Sequence, residues 1–115
     1  LQSKKRQTYN DGTVSIYSVS SDAEPGDRPT EKPTLKETLP YEERTVGMVR
    51  YTAALQKGVE IKKIIRCPRR EVSPEDVAVP IDGKQYEVDQ IQYPYDVTPD
   101  SMDLILKKVE VEYEI

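Results

Sequence analysis

The most reactive residue types in this 115-residue chain sit together in the stretch IIRCPRR, residues 64–70, where the single cysteine, Cys67, lies among Arg66, Arg69 and Arg70. A thiol beside guanidinium groups can have a lowered pKa and act as a nucleophile, provided it is exposed. Clustered arginines also suit phosphate oxygens, which the planar guanidinium grips in pairs. Alternation argues against the thiol chemistry. Residues 59–67, VEIKKIIRC, read as a strand, and successive strand side chains point to opposite faces. Cys67 then shares a face with Val59, Ile61 and Ile65, while Arg66 goes with Glu60 and Lys62; Lys63 and Ile64 break the pattern. Cys67 is therefore expected to pack as a small buried hydrophobe, and Pro68 to end the strand. For Arg66, Arg69 and Arg70, phosphate contact competes with pairing to Glu71, Glu75, Asp76 or the acids of a neighbouring subunit. Pairing is favoured, because no aromatics are interleaved with them and the net charge is −4.

Histidine is absent. That removes the usual general base, the usual activator of a nucleophile and the commonest metal ligand. One cysteine and no histidine exclude the ordinary zinc site. No acidic loop has the calcium-binding pattern, and no glycine run cradles phosphate. No cofactor, metal or catalytic residue is expected, and the chain does not read as an enzyme. The apolar runs are too short for a membrane span or a secretion signal. The chain begins at Leu1 rather than Met, which implies trimming or added residues; the default compartment is the cytoplasm.

Leu, Ile and Val number 26, Tyr 8, and Phe and Trp none, enough for one modest core in a single domain, residues 1–115. Lys4, Lys5 and Arg6 open the chain as a solvated basic arm, and the turn signal Asn10-Asp11-Gly12 can fold that arm into a hairpin with the strand at 13–19. Residues 20–44 carry four of the nine prolines and seven acids against four bases. Their apolar content is low and aperiodic, so a long mobile loop is expected, with a helical turn possible around 35–39. A strand follows at 45–52, a helical turn at 53–57, and the strand at 59–67. A charged loop leads to a strand at 77–81, a type I′ turn at Asp82-Gly83 and a return strand at 84–93. The last strand runs over 102–113. Both late strands change phase, near Asp89-Gln90 and at Lys107-Lys108; a bulge would repair the first. Such switches fit strands that bend round a barrel or cross between sheets. The expected fold is mainly β: a small antiparallel β-barrel or sandwich of about six strands, with one short helical turn and a long early loop.

The runs RTVGMVRYTAALQKGVEIKKIIRCP and VAVPIDGKQYEVDQIQYPYDVTPDSMDLILKKVEVEYE resemble the head-closure proteins, also called head–tail connectors or stoppers, of long-tailed phages and prophages. The shared cues are a strand opening R-T-V-G, an R-Y-x-x-A turn, an I-R-x-P strand end, a D-G-x-x-Y-x-V hairpin and a D-L-x-L-x-x-V-E final strand. They cover about two-thirds of the chain, residues 44–114. The chain departs from the pattern at Cys67, where an aliphatic residue is expected. The resemblance implies a virion structural protein at the head–tail junction, assembled in the host cytoplasm. It would form a homo-oligomeric ring, by analogy of twelve copies, with portal and adaptor proteins above and tail proteins below. Such a ring closes the channel after packaging and docks the tail, while double-stranded DNA passes without tight binding. By position, residues 20–44 correspond to the channel-plugging loop, with Asp22, Glu24, Asp27, Glu31, Lys32, Leu35 and Glu37 as its candidate residues. Arg69, Arg70, Glu71, Glu75 and Asp76 are candidates for intersubunit or tail contacts. A tail-completion or tail-terminator protein is the neighbouring alternative. A small β-barrel nucleic-acid-binding module is the alternative of a different class.

Overall fold

The computed structural model describes residues 4–21, 31–45 and 61–115. They form eight strands: β1 (Lys5–Arg6), β2 (Gly12–Ser21), β3 (Glu31–Arg44), β4 (Ile61–Pro68), β5 (Val77–Val79), β6 (Tyr86–Gln92), β7 (Val97–Thr98) and β8 (Ser101–Lys108). β1 and β7 make a two-stranded parallel sheet. The other six close on themselves in the order β2-β3-β4-β8-β6-β5, with β2 bonded to β5 through Ser15–Tyr17 as well as to β3.

The expected fold is therefore corrected. There are eight strands in two sheets rather than a barrel or sandwich of about six, and no helix among the described residues. The possible turn at 35–39 is strand, and the expected helical turn at 53–57 lies outside the described residues, as does most of the strand expected at 45–52. The long early loop is largely absent, because Glu31–Arg44 is a 14-residue strand. Its register explains how a proline-rich acidic segment becomes β-structure. Val14 lies opposite Leu39 and Gly12 opposite Tyr41, and Val14, Ile16, Leu39 and Tyr41 all enter the core. Pro33 and Pro40 are tolerated because β3 meets β4 only at Glu42–Arg44, leaving the rest of that edge without a ladder among the described residues. The N-terminal arm also differs from expectation. It forms no hairpin with β2; instead Lys5 N–H bonds Asp96 O at 2.8 Å and Gln7 N–H bonds Thr98 O at 2.8 Å.

The core lies inside the closed sheet and contains Ile65, Cys67, Tyr86, Val88, Met102, Leu104 and Leu106 as well as the β2–β3 residues. A smaller cluster outside it joins Ile64, Ile105 and Ile61. The two-sided burial of β8, from Ser101 to Leu106, follows from these two layers. Bulges set which face each residue takes. Val88 pairs with Leu106 but Gln90 with Ile105, so Asp89 is the extra residue, and Ile91 returns to the core with Val88. Likewise Ile61 pairs with Lys107 but Lys63 with Leu106, so Lys62 is extra. That slip carries Ile61 out to the face of Ile64 and resolves the broken alternation of β4. The last strand stops at Lys108, short of the expected 113, at the point where its phase changes. Tyr113 beyond it is held by the Gln85 side chain, which donates to Tyr113 O at 2.7 Å and accepts from its N–H at 2.8 Å.

The β5–β6 connection is not a two-residue type I′ turn. β5 ends at Val79 and β6 starts at Tyr86, with Gly83 N–H bonded to Pro80 O at 3.0 Å. Gly83 alone in that turn has positive φ, +76°, whereas type I′ needs it at both central positions.

Candidate functional site

Cys67 is fully buried. Burial, and then the negative charge of Asp103, pushes its thiol up from 9.0 to about 12, against a smaller opposing effect of Arg70. A thiol so placed is a packing group, not a nucleophile.

Arg66 occupies the opposite face, as alternation requires, but it is buried rather than solvated. Its Nε donates to Asp103 Oδ1 at 2.6 Å and its Nη2 to Oδ2 at 2.9 Å. The two residues are direct cross-strand partners on β4 and β8, which lets the fork of the guanidinium meet both carboxylate oxygens. The hydrogen bonds to Asp103 hold the Arg66 pKa above its already high ordinary value, against the effect of burial. The register extends this into a row across four strands, Glu42, Arg66, Asp103 and Gln92. Gln7 ties the row to the β1 segment: it accepts from Arg66 Nη1 at 3.1 Å and donates to Glu42 Oε2 at 2.8 Å. Arg44 donates to the same Glu42 oxygen at 2.9 Å.

Gln7, Arg44, Arg66, Gln92 and Asp103 line an open cleft of about 540 Å³ between the β1–β7 pair and the outer face of the closed sheet. Lys5, Arg6, Arg44 and Arg66 face it with Asp96 and Asp103; Tyr93 and Tyr95 stand at its side. Tyr95 is 85% exposed and Tyr93 52%, and the Arg69 guanidinium lies 4.8 Å from the Tyr93 ring centroid. Two side-chain nitrogens in this region, Arg44 Nε and Gln92 Nε2, are closed off from solvent and have no hydrogen-bond partner among the described residues. The cleft was not legible as a site, because its members come from β1, β3, β4, β6, β7 and β8.

A second polar cluster is structural. Lys63 bonds Glu43 and reaches Asp82 Oδ2 at 3.1 Å, and Tyr86 donates to Asp82 at 3.0 Å. Burial works to lower the Lys63 pKa, but Glu43 and Asp82 outweigh it and raise it. Burial likewise works to raise Asp82, and the donors Lys84 N–H, Lys63 and Tyr86 outweigh it and lower it. The cluster pins the 80–85 turn onto β3 and β4.

The remaining candidates scatter. Asp22, Glu24 and Asp27 lie outside the described residues. Glu31, Lys32, Leu35 and Glu37 fall on β3 rather than in a loop; Leu35 is 56% exposed and Glu37 half-buried. Arg69, Arg70, Glu71 and Glu75 are exposed. Asp76 does not belong with them. It is buried, accepting from Ser73 N–H at 2.9 Å and Lys36 Nζ at 2.8 Å, so it holds its own loop to the β2–β3 hairpin. Arg69 and Arg70 turn to main-chain oxygens, of Ser101 at 3.3 Å and of Arg69 at 2.8 Å. Among the described residues no group of three acidic or cysteine side chains is placed to hold a metal ion, and no helix is long and apolar enough to cross a membrane. Comparison with protein-family models, with curated proteins and with solved structures returns no match to this chain.

Proposed function

We propose that this chain is a non-enzymatic phage structural protein, a head-closure connector that forms a ring at the head–tail junction, closes the DNA exit channel and docks the tail. The resemblance over residues 44–114 supports the reading, and the geometry that carries it is the β2–β3 hairpin. The link of β2 to β5 ends at Tyr17, and that of β3 to β4 begins only at Glu42. Beyond Tyr17 the hairpin, Ser18–Ser21 against Glu31–Thr34, pairs with itself alone among the described residues. At about 3.3 Å per residue, β3 spans roughly 46 Å from end to end, long enough to carry its far end away from the body.

An arm on a closed, well-packed sheet suits a gate. The sheet supplies the ring wall, and the arms of successive subunits converge on the channel. The segment 20–44 carries three more acids than bases. Ring symmetry multiplies that charge, which repels phosphate and lets DNA pass without tight binding. In this reading the exposed Arg69, Arg70, Glu71 and Glu75 face a neighbouring subunit or the tail. The host cytoplasm is where the chain assembles and the virion is where it acts. Negative-stain microscopy of the purified chain, alone and with portal-bearing heads, tests the reading. Closed rings, free or seated on the portal vertex, are expected; a chain that stays monomeric and never attaches to heads would refute it.

A further inference from the structure

We infer that residues 4–10 form a releasable strap, which undocks from β7 as a unit while the closed sheet stays folded and, when docked, caps the edge of β7 that carries Asp96 O and Thr98 O. The closed sheet is complete without it, since β1 and β7 pair only with each other among the described residues. None of residues 4–10 belongs to either apolar cluster. Lys4, Lys5, Arg6, Thr8 and Asn10 are exposed, and Gln7 and Tyr9 half-buried. The hold on the strap is polar. Lys5 N–H bonds Asp96 O and Gln7 N–H bonds Thr98 O. The Gln7 amide clips the strap between Arg66 and Glu42, and the Tyr9 hydroxyl lies 2.5 Å from Ser101 Oγ.

The root of the strap is held differently. Asp11 N–H bonds Tyr41 O at 2.9 Å, and the Asp11 carboxylate accepts from Glu43 N–H at 2.8 Å. From Gly12 the chain runs on in β2, whose Val14 and Ile16 lie in the core. Polar bonds near the surface trade for bonds to water at small net cost, whereas buried apolar area does not. An element held by polar bonds alone therefore opens ahead of the sheet behind it. Undocking frees Asp96 O and Thr98 O in the spacing that an incoming extended strand reads, and it withdraws the Gln7 amide from Arg66. Docked, the strap denies that edge to any other strand, a cover of the kind that guards exposed sheet edges. The device stands apart from the connector reading, because it resides in one chain whatever the assembly.

Native-state hydrogen exchange of the full chain, read by NMR at low urea concentrations, tests the proposal. The amides of residues 5 and 7 should be protected, yet exchange at least roughly a hundredfold faster than the slowest amides of β8. Their rates should hardly respond to urea, because undocking exposes little surface, while those of β8 rise with the surface exposed in global unfolding. Val88→Ala, which opens a cavity in the core, should speed β8 exchange about tenfold or more and leave residues 5 and 7 unchanged. Gln7→Ala should lower the protection of the residue 5 amide roughly tenfold through loss of the clip. Circular dichroism checks the fold of each variant, and the urea dependence of the parent carries the test if Val88→Ala fails to fold. Exchange of residues 5 and 7 as slow as that of β8, with the same urea dependence, would overturn the proposal by making the strap an integral part of the sheet. So would exchange at the unprotected rate, which means the strap never docks, or unchanged protection of residue 5 in folded Gln7→Ala.

Discussion

Removing Asp103 should be among the most destabilising single changes in this chain. Arg66 is 7% exposed and Asp103 3%, joined by bonds of 2.6 and 2.9 Å. Asp103→Ala leaves a guanidinium that cannot lose its proton, enclosed between strands with Gln7 as its remaining hydrogen-bond partner among the described residues and only the more distant charges of Glu42 and Asp96 to oppose it. Breaking a buried pair from one side costs about 3–5 kcal/mol, most of it the penalty of the orphaned charge. With a urea m-value of about 1.5 kcal/mol/M for a domain of this size, the midpoint should fall by roughly 2–3 M. The double change Arg66→Met with Asp103→Leu removes both charges and keeps the volume. It should recover most of that loss, ending within about 1 kcal/mol of the parent, because the desolvation cost disappears with the pair. Urea unfolding followed by circular dichroism reads all variants, and the double-mutant cycle gives the coupling. A loss below about 1 kcal/mol for Asp103→Ala would mean that Arg66 reaches water, and the buried row beneath the cleft would be wrong.

Four further outcomes follow from the geometry. Cys67 should stay unreactive to a disulfide reagent at pH 8 until the chain unfolds. Its raised native pKa, with those of Tyr86 and Lys63, makes the folded state the better proton binder. Stability is thus full below about pH 9 and is lost as pH rises toward 12, with a shallower alkaline loss in Cys67→Ala; urea midpoints across pH 7 to 11 check this. Glu75 sits at φ +77°, where a side chain is strained and glycine is not. Glu75→Gly should gain about 0.5–1 kcal/mol, seen as a higher melting temperature. Asp76→Ala removes the acceptor of Ser73 N–H and Lys36 and should cost about 1.5–3 kcal/mol by urea unfolding.

Features that depend on local pattern were legible in the sequence. The inward turn of Cys67 follows from alternation, and the bulge at Asp89 from the phase change between Val88 and Ile91. Features that depend on register were not. Arg66 and Asp103 are 37 positions apart, and only the pairing of β4 with β8 brings them face to face. β3 was hidden because Pro33, Pro40 and its charges speak for a loop. What makes it a strand is the partner β2, whose Val14 and Ile16 lie on the same face as Leu39 and Tyr41. β1 reads as a solvated arm because two residues, Lys5 and Arg6, carry no β signal; main-chain bonds to the β7 segment place them. The cleft inherits all of these non-local pairings. The same correction reshapes the proposed gate, since much of the segment expected to be a plug loop is the second strand of a hairpin.

DNA retention by packaged heads closed with this chain is the most direct test of that gate. Heads closed with the intact protein should protect their DNA from nuclease. Heads closed with a chain whose hairpin is cut back to Ser18 and Thr34 and rejoined by a short turn should still carry the ring but release their DNA. Equal retention by both would contradict a channel-closing arm.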